Sequence, residues 1–202
     1  PEVRFEGFTG EWEERKLGDF LKIPEREKVE TIDSAKLLTV KLHLKGVKEK
    51  TNTATLKLGS TPYYKRKKGQ FIYGKQNLFN GAFAIIPDYL DGYYSSGFVP
   101  SVDFHSNLIL PEFFIQNIGR EAYYRNLESI ASGSGSKLIH ESTILELPIS
   151  LPCLEEQQRI QLTEHRERVG SEYISMDGLI EQLTNNEISL ETVIDYFLNK
   201  LI

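Results

Sequence analysis

The first 150 residues of the chain place short apolar runs between turn-forming residues, and this pattern predicts a set of short strands. Residues 37–44 read Leu-Leu-Thr-Val-Lys-Leu-His-Leu, so Val40, Leu42 and Leu44 fall on one side and polar residues on the other. Because successive side chains of a strand point to opposite faces, we expect residues 37–44 to form one strand with a wet, basic face.

Two further strands are predicted on either side of a turn. Residues 70–74 and 82–86 are largely apolar runs, and Asn80-Gly81 between them is a strong turn signal. Residues 93–97, Tyr-Tyr-Ser-Ser-Gly, do not continue this pattern, and we expect an ordered loop there.

Helical spacing begins near residue 110. Pro111 suits a first helical position, and the apolar residues after it predict one helix over residues 110–131 that lies on the sheet. Apolar residues between positions 139 and 149 predict the last strands. Near the N-terminus, three side chains are expected to anchor the chain to the core: Trp12, Leu17 and Phe20.

From residue 162 the apolar and small residues fit a heptad repeat for about 40 residues. This C-terminal seam consists of Leu162, Val169, Tyr173, Met176, Ile180, Leu183, Leu190, Ile194, Phe197 and Leu201. A helix of about 45 residues would be about 70 Å long at 1.5 Å per residue, which is more than a small domain can cover. We therefore expect the seam to pack against a partner helix.

These patterns predict an α+β protein in two parts. Residues 1–152 are expected to form a globular domain of mixed sheet and helix, and residues 153–202 a long coiled-coil-type helix. A chain of 202 residues, 40% of them hydrophobic, is long enough for one such core and an extension.

Composition excludes several classes of protein. No apolar run approaches the roughly 20 residues that span a bilayer, and the N-terminus lacks the pattern of a signal peptide, so we expect a soluble, cytoplasmic protein without a membrane partner. Cys153 is the single cysteine, which rules out an internal disulfide.

The net charge of −5 conceals a basic segment. Residues 36–75 hold eleven Lys or Arg residues and one acid, Glu49, for a local charge of +10 against −15 elsewhere. Such a segment can neutralise phosphates and make binding salt-dependent, whatever the charge on the rest of the molecule.

Several short motifs occur in a characteristic order along the chain. They are Pro-Glu-Val-Arg-Phe-Glu-Gly-Phe at 1–8 with Trp12-Glu13 and Lys16-Leu17-Gly18, Gly-Gln-Phe-Ile-Tyr at 69–73, Ser-Gly-Ser-Gly-Ser-Lys at 132–137, Leu-Pro-Ile at 147–149, Leu151-Pro152 and Glu-Glu-Gln at 155–157. On these motifs the chain resembles the specificity subunit of type I restriction-modification systems over essentially its whole length.

The resemblance implies a target-recognition domain that reads one half of a split site in double-stranded DNA, followed by a conserved spacer helix. A complete subunit of this kind has two such units and docks modification (methyltransferase) subunits, and through them restriction subunits. This chain has one unit, so it looks like half a subunit, either a naturally short form, a product of gene rearrangement or a fragment of a longer one. We expect a homodimer through the C-terminal seam. S-adenosylmethionine, Mg²⁺ and ATP are expected on the partner subunits, and no cofactor or metal on this chain.

The candidate DNA-binding residues fall into three groups. Lys41, Lys75, Gln76 and Asn77 could read bases, because Gln and Asn pair with adenine and Lys donates to guanine in the major groove; Gln76 and Asn77 could instead only shape a turn. Backbone phosphates or the groove wall could be contacted by Tyr63, Tyr64, Lys65, Arg66, Lys67 and Lys68, unless these form only a solvated charged turn. The glycine-rich loop offers Ser134, Ser136 and Lys137 as donors to an anion, or is a flexible linker.

Two other functions remain open from the sequence. One is a protein-interaction module whose helix joins a coiled coil and whose basic segment binds an acidic partner. The other is a stand-alone nuclease or methyltransferase, but the four histidines lie far apart, and no phosphate-binding Gly-x-x-x-x-Gly-Lys or adenine-methyltransferase Asn/Asp-Pro-Pro-Tyr/Phe motif is present. We therefore expect a non-catalytic targeting subunit, with methylation and cleavage done by its partners.

Overall fold

The computed structural model describes residues 7–51, 61–105, 107–133 and 136–160. The strands are β1 (Glu13–Lys16), β2 (Leu21–Lys22), β3 (Leu38–Val40), β4 (Val47–Glu49), β5 (Tyr63–Lys65), β6 (Phe71–Tyr73), β7 (Phe83–Ile85), β8 (Tyr94–Ser96), β9 (Ser101–Phe104) and β10 (Pro148–Leu151). The α-helices are α1 (Pro111–Ile118), α2 (Glu121–Asn126) and α3 (Glu141–Leu145). Single 3₁₀ turns occupy Leu17–Asp19, Ser34–Lys36, Leu78–Asn80, Asp88–Leu90 and Leu127–Ile130, and residues 154–160 are helical.

A four-stranded antiparallel sheet with the order β2-β9-β6-β7 lies at the centre of the fold. Phe71 of β6 pairs with Ile85 of β7 on one side and with Val102 of β9 on the other. Three two-stranded antiparallel sheets, β1-β10, β3-β4 and β5-β8, surround it. The described residues therefore form the mixed sheet-and-helix domain that the sequence predicts.

All three residues of β6 are buried, because the central sheet is covered on both faces. Ile72 belongs to a cluster on one face with Leu38, Val47, Ile86 and Leu90. On the other face, the ring of Phe71 meets that of Phe114 in α1 edge-on with centroids 5.0 Å apart, and the hydroxyl of Tyr73 donates to the carbonyl of Ile139 at 3.3 Å. The alternation of a strand thus sends neighbouring residues into two separate apolar layers.

The predicted helix over residues 110–131 is wrong as a single element. It begins with Pro111 at its first position, as expected, but α1 ends at Ile118. Arg120 then has an extended backbone, with ψ of 127°, before α2 begins. Because an extended residue cannot continue the helical hydrogen bonds, the segment is divided into α1, α2 and a terminal 3₁₀ turn.

The predicted strand over residues 37–44 is also too long. β3 ends at Val40, and His43 and Leu44 both have positive φ, at 56° and 57°. The chain turns back through residues 41–46 and returns as β4, which pairs with β3. Leu42 and Leu44 are therefore exposed loop residues, and the alternation that predicted a strand has no counterpart beyond Val40.

Other predictions fare differently. The strands predicted over 70–74 and 82–86 are confirmed as β6 and β7, with the Leu78–Asn80 turn and Gly81 between them. Residues 93–97 contain a strand, β8, which pairs with β5 where a loop was expected. Among the predicted last strands, residues 141–145 form α3, and only β10 is a strand.

The first and last strands of the domain, β1 and β10, pair with each other. Glu13 pairs with Leu151, Lys16 pairs with Pro148, and the amide of Leu17 donates to the carbonyl of Leu147 at 2.9 Å. The predicted anchors are confirmed: Leu17 and Phe20 are buried, and Trp12 meets the ring of Phe113 edge-on with centroids 6.1 Å apart.

Candidate nucleic-acid interface

Polar segments lie at both ends of β6, and they differ in what holds them. We call one of them the turn end: it consists of residues 67–69, which precede β6, and residues 87–91, which follow β7. The loop end, residues 41–46, 75–81 and 97–99, contains the chain that leaves β6. Four residue steps separate Gln70 from Gly74, which is about 13 Å at 3.3 Å per residue. Basic residues of the segment 36–75 therefore lie at both ends of β6.

Backbone hydrogen bonds join the segments of the loop end. The amide of Lys75 donates to the carbonyl of Phe98 at 2.9 Å, and the carbonyl of Lys75 accepts from the amide of Ile139 at 3.0 Å. Residue 75 therefore connects the end of β6 to the loop before β9 and to the segment before α3. The backbone that carries the next two side chains, Gln76 and Asn77, is therefore held by hydrogen bonds to two other segments.

Loop 41–46 approaches residues 80 and 81 closely. His43 donates its amide to the carbonyl of Asn80 at 2.9 Å, and Leu44 donates to that of Gly81 at 2.8 Å. Gly81 has φ of 70°, and a Cβ there would lie 3.2 Å from the amide nitrogen of Leu44, so glycine suits both the turn and the contact. Two successive non-glycine residues at positive φ are costly, and such strain is concentrated at functional loops.

Gln76 and Asn77 are exposed at the loop end. The carboxamide oxygen of Asn77 accepts from the side chain of Asn80 at 3.2 Å, which leaves its amide nitrogen available. The side chain of Gln76 has no hydrogen-bond partner in the described part of the chain. Both therefore present polar groups of the kind that pair with adenine in the major groove.

Lys75 itself is held inward. Its ammonium lies 2.9 Å from Glu141, whose side chain is 7% exposed, and the Lys75 side chain is 13% exposed. Glu141 also accepts from Arg26 at 2.8 Å. Burial alone would raise the pKa of Glu141, but the hydrogen bonds and positive charge of Lys75 and Arg26 lower it below its usual value of 4.5. Lys75 thus stabilises the loop end, whereas the sequence placed it among the base readers.

Lys41 and Lys45 supply the free positive charge of the loop end. Both are exposed, and neither has an ion pair within the described ranges. Lys41 donates its backbone amide to Gly46 at 2.9 Å, so the loop is closed while the side chains remain in solvent.

Arg66 is enclosed within the domain, where the sequence predicted a contact with a backbone phosphate or the groove wall. It is 3% exposed, and its guanidinium donates to the hydroxyl of Ser95 at 2.7 Å and to the carbonyls of Val99 and Ser96 at 3.2 and 3.4 Å. Burial, followed by repulsion from Arg26, lowers the pKa of Arg66 to about 10. Its donors are used inside the domain.

Tyr63, Tyr64 and Lys65 form β5, beside the buried arginine. The ring of Tyr64 lies between two guanidinium groups, with those of Arg26 and Arg66 each 5.6 Å from its centroid. Tyr63 is half-buried, and Lys65 is exposed with its ammonium 3.6 Å from Glu27. Of the three, Tyr64 is the most engaged within the domain.

Lys67 and Lys68 lie at the turn end, away from Gln76 and Asn77. The ammonium of Lys68 is 2.9 Å from Asp88, and its backbone amide donates to Asp91 at 2.8 Å. Lys67 is exposed, and its backbone amide donates to the side chain of Gln70 at 3.0 Å.

The glycine-rich loop is closed at its base. Ser132 and Leu138 exchange backbone hydrogen bonds of 2.9 and 2.8 Å. Ser136 is exposed, Lys137 pairs with Glu128 at 2.9 Å, and Ser134 lies outside the described residues. The loop leads directly to Ile139, which is bonded to the loop end.

Residues 162–202, including every position of the C-terminal seam, lie outside the described residues. The motif before them has a structural role that the sequence did not reveal. Gln157 is fully buried, its carboxamide oxygen accepts from the amide of Leu110, and its nitrogen donates to the carbonyls of Leu108 and Pro152, all at 2.9 to 3.0 Å. One side chain thus ties the first helical turn of residues 154–160 to the segment before α1.

Three more residues of the site were missed by sequence reasoning: Arg26, Glu141 and Phe98. The first two are distant in sequence and meet only in the fold. Phe98 had a signal, because a large aromatic residue between Gly97 and Pro100 is unusual in a turn-forming stretch. It is 56% exposed.

No group of three or more His, Cys, Asp or Glu side chains in the ranges that the structure describes could hold a metal ion. None of the helices described is long and apolar enough to cross a membrane.

Comparison with known proteins gives a family and a fold. A family model described as the type I restriction modification DNA specificity domain matches residues 9–162. The chain is similar to the HsdS subunit from Thermoanaerobacter tengcongensis, with 19% identity and a TM-score of 0.57 over 81% of this chain and 44% of that one. It is similar to the S subunit of the type I restriction-modification system from M. genitalium, with 17% identity and a TM-score of 0.50 over 85% and 44%.

A third solved chain, from a study of complex assembly and conformational transition of the type I R-M system, has 19% identity and a TM-score of 0.54 over 81% of this chain and 44% of that one. This chain therefore matches less than half the length of each of these solved chains. No curated protein sequence gives a significant match.

Proposed function

The chain belongs to the type I restriction modification DNA specificity family, and from that membership we propose that its loop end reads the bases of one half of a bipartite DNA site. The observation that carries this proposal is the pair of exposed amides, Gln76 and Asn77, on a base fixed by the Lys75–Glu141 ion pair. Their free polar groups match the adenine edge in the major groove.

The charges of the loop end support the same role. Lys41 and Lys45 are exposed without ion pairs in the described ranges, so each can neutralise a phosphate and release counterions. Phosphate contacts of this kind position a protein on DNA, while base contacts beside them give specificity. The strained loop 41–46 would hold these lysines next to the amides.

The remaining activities belong to partner proteins in this proposal. The chain is a non-catalytic targeting subunit that docks modification subunits, and through them restriction subunits, in the cytoplasm. S-adenosylmethionine, Mg²⁺ and ATP are bound by those partners. Two copies pair through the C-terminal seam, which would bring two half-site readers together.

The test is co-expression of the chain with a type I modification subunit, purification of the complex and mapping of methylated adenines on genomic DNA. We expect methylation at a split, palindromic site. Gln76→Ala should relax the sequence at one position of each half-site, whereas the matched turn-end variant Lys68→Ala should leave the site unchanged.

Two results would overturn the proposal. One is the absence of a complex, or of methylation, with a modification subunit that is active with its own specificity subunit. The other is a methylated site that stays identical in Gln76→Ala and Asn77→Ala. Pairing through the seam has a separate test, because a chain that remains monomeric in sedimentation at tens of micromolar would exclude the homodimer.

A further inference from the structure

Phe98 is an exposed aromatic residue on a rigid part of the loop end. Of the large apolar side chains that are exposed in the described ranges, Leu42, Leu44 and Phe98 lie at this end, and Phe98 is the aromatic member. A single exposed apolar residue is ordinary on a protein surface, so what distinguishes Phe98 is its place at the loop end, which also carries the two candidate amide readers and two further exposed apolar residues.

The backbone around Phe98 is held from both sides. Its carbonyl accepts from the amide of Lys75 at 2.9 Å, and the amide of Val99 donates to Ser96 at 2.9 Å. The carbonyls of Ser96 and Val99, which flank the ring, both accept from the buried guanidinium of Arg66. Burying a guanidinium costs free energy, and here its hydrogen bonds fix the two carbonyls on either side of one exposed ring.

The position of the loop relates Phe98 to the amide readers. Lys75, whose amide binds the Phe98 carbonyl, immediately precedes Gln76 and Asn77. In the major groove, the adenine edge that such amides recognise lies in the same base pair as the C5 methyl group of thymine. An exposed apolar side chain on a loop that is hydrogen-bonded to the residue before the amide readers is therefore suited to that methyl group.

We propose that Phe98 contacts the C5 methyl group of a thymine in the recognised half-site, from a loop whose carbonyls accept hydrogen bonds from Arg66. This inference rests on the proposed function and adds a specific chemical group to it. Each half-site would then hold at least one thymine whose methyl group contributes to binding.

The test removes the methyl group from the DNA and the ring from the protein. The recognised site is first selected from a random duplex library with the full-length chain. Each thymine of the site is then replaced singly by uracil, which lacks only the methyl group, and affinities are measured by fluorescence anisotropy. For the unaltered chain we expect one thymine whose replacement weakens binding about fourfold, the ratio for one buried methyl group.

Three variants complete the cycle. Phe98→Ala should bind the thymine site about fourfold more weakly and should no longer distinguish thymine from uracil at that position. Phe98→Leu should keep part of the preference, because leucine also offers an apolar contact. Tyr89→Ala removes a ring that is 72% exposed at the turn end, and it should behave like the unaltered chain.

The outcomes separate this inference from the proposed function. Sequence-specific binding that is indifferent to uracil at every thymine would overturn the role of Phe98 and leave the recognition function standing. An unchanged thymine preference in Phe98→Ala would do the same. If the library yields no preferred sequence, the recognition function and the role of Phe98 are both overturned.

Discussion

Lys68 and Lys75 lie seven positions apart on either side of β6, and each ammonium is 2.9 Å from a carboxylate. At the turn end the pair is in solvent, with 57% of the Lys68 side chain and 83% of the Asp88 side chain exposed. At the loop end the Lys75 and Glu141 side chains are 13% and 7% exposed. Equal distances therefore describe two different interactions, because solvent screens the first pair and not the second.

This difference in exposure shows that residues of one basic segment have different roles: some hold the domain together, and others remain available to a ligand. The sequence presents Lys65 to Lys75 as one stretch of positive charge, yet Arg66 is buried, the side chain of Lys75 is only 13% exposed, and both are engaged within the domain. At the loop end, free charge comes instead from Lys41 and Lys45, on a loop brought alongside by hydrogen bonds to residues 80 and 81. The enclosed cations therefore bind groups of the domain itself, and the exposed cations remain available to bind a ligand.

The largest expected difference between the two ion pairs is in stability, and it is tested by removing one carboxylate from each end. Glu141→Gln should lower the free energy of unfolding by about 3 kcal/mol, because it leaves the ammonium of Lys75, whose side chain is only 13% exposed, without its counter-charge. Asp88→Asn should cause no measurable change, because its ion pair is exposed. Urea unfolding followed by tryptophan and tyrosine fluorescence measures both. Equal effects of the two variants would contradict the assignment of different roles to the two ends.

A second comparison concerns DNA sequence. Gln76→Ala should cost about 1 to 3 kcal/mol of discrimination at one base pair, the value of one bidentate amide–adenine contact. Lys68→Ala should leave discrimination unchanged at every position. Competition binding with single-base-pair variants of the selected site gives both profiles. Loss of affinity without loss of discrimination in Gln76→Ala would instead indicate that the residue only shapes its turn.

Salt dependence distinguishes Lys41, which has no ion pair within the described ranges, from Lys68, which is paired with Asp88. Lys41→Ala should reduce the slope of log affinity against log salt by about 0.9, as expected when one phosphate contact is lost. Lys68→Ala should leave the slope unchanged, because Asp88 already neutralises that ammonium. The measurement is a binding titration from low to moderate salt. A reduced slope in Lys68→Ala alone would place the phosphate contacts at the turn end.

The smallest effect is the pH dependence of the buried pair. The pKa of Glu141 is lower in the folded chain than its usual value of 4.5, so its stabilising contribution is present above that value and is lost as the pH falls through the folded pKa. The stability difference between the unaltered chain and Glu141→Gln should therefore be full at pH 7 and shrink progressively below pH 4.5. Unfolding curves at a series of pH values test this, and a constant difference would contradict it.

The sequence predicted those elements whose signals are local. Strands β6 and β7 follow from apolar runs with Asn80-Gly81 between them, and Pro111 begins α1 as expected. Local patterns failed where contacts distant in sequence decide the conformation. Leu42 and Leu44 continue an alternation, but hydrogen bonds to residues 80 and 81 fold their segment into a loop.

The candidate site was predictable in the same partial way. Gln76 and Asn77 could be selected because amides after a strand are readily exposed, and the structure leaves them exposed. Arg66 could not be assigned correctly, because its partners Ser95, Ser96 and Val99 lie about 30 residues away and adjoin it only in the fold. A string of basic residues gives no indication of which one is enclosed.

The pairing of β1 with β10 has a consequence for how such a protein can evolve. The chain enters the domain at Glu13 and leaves it at Leu151, and these residues are paired neighbours. Domains whose ends lie close together tolerate insertion into other chains, because the flanking segments meet at one point whatever lies between them. Recombination within these two strands could therefore exchange the whole domain as one unit and change the DNA sequence that an existing complex recognises.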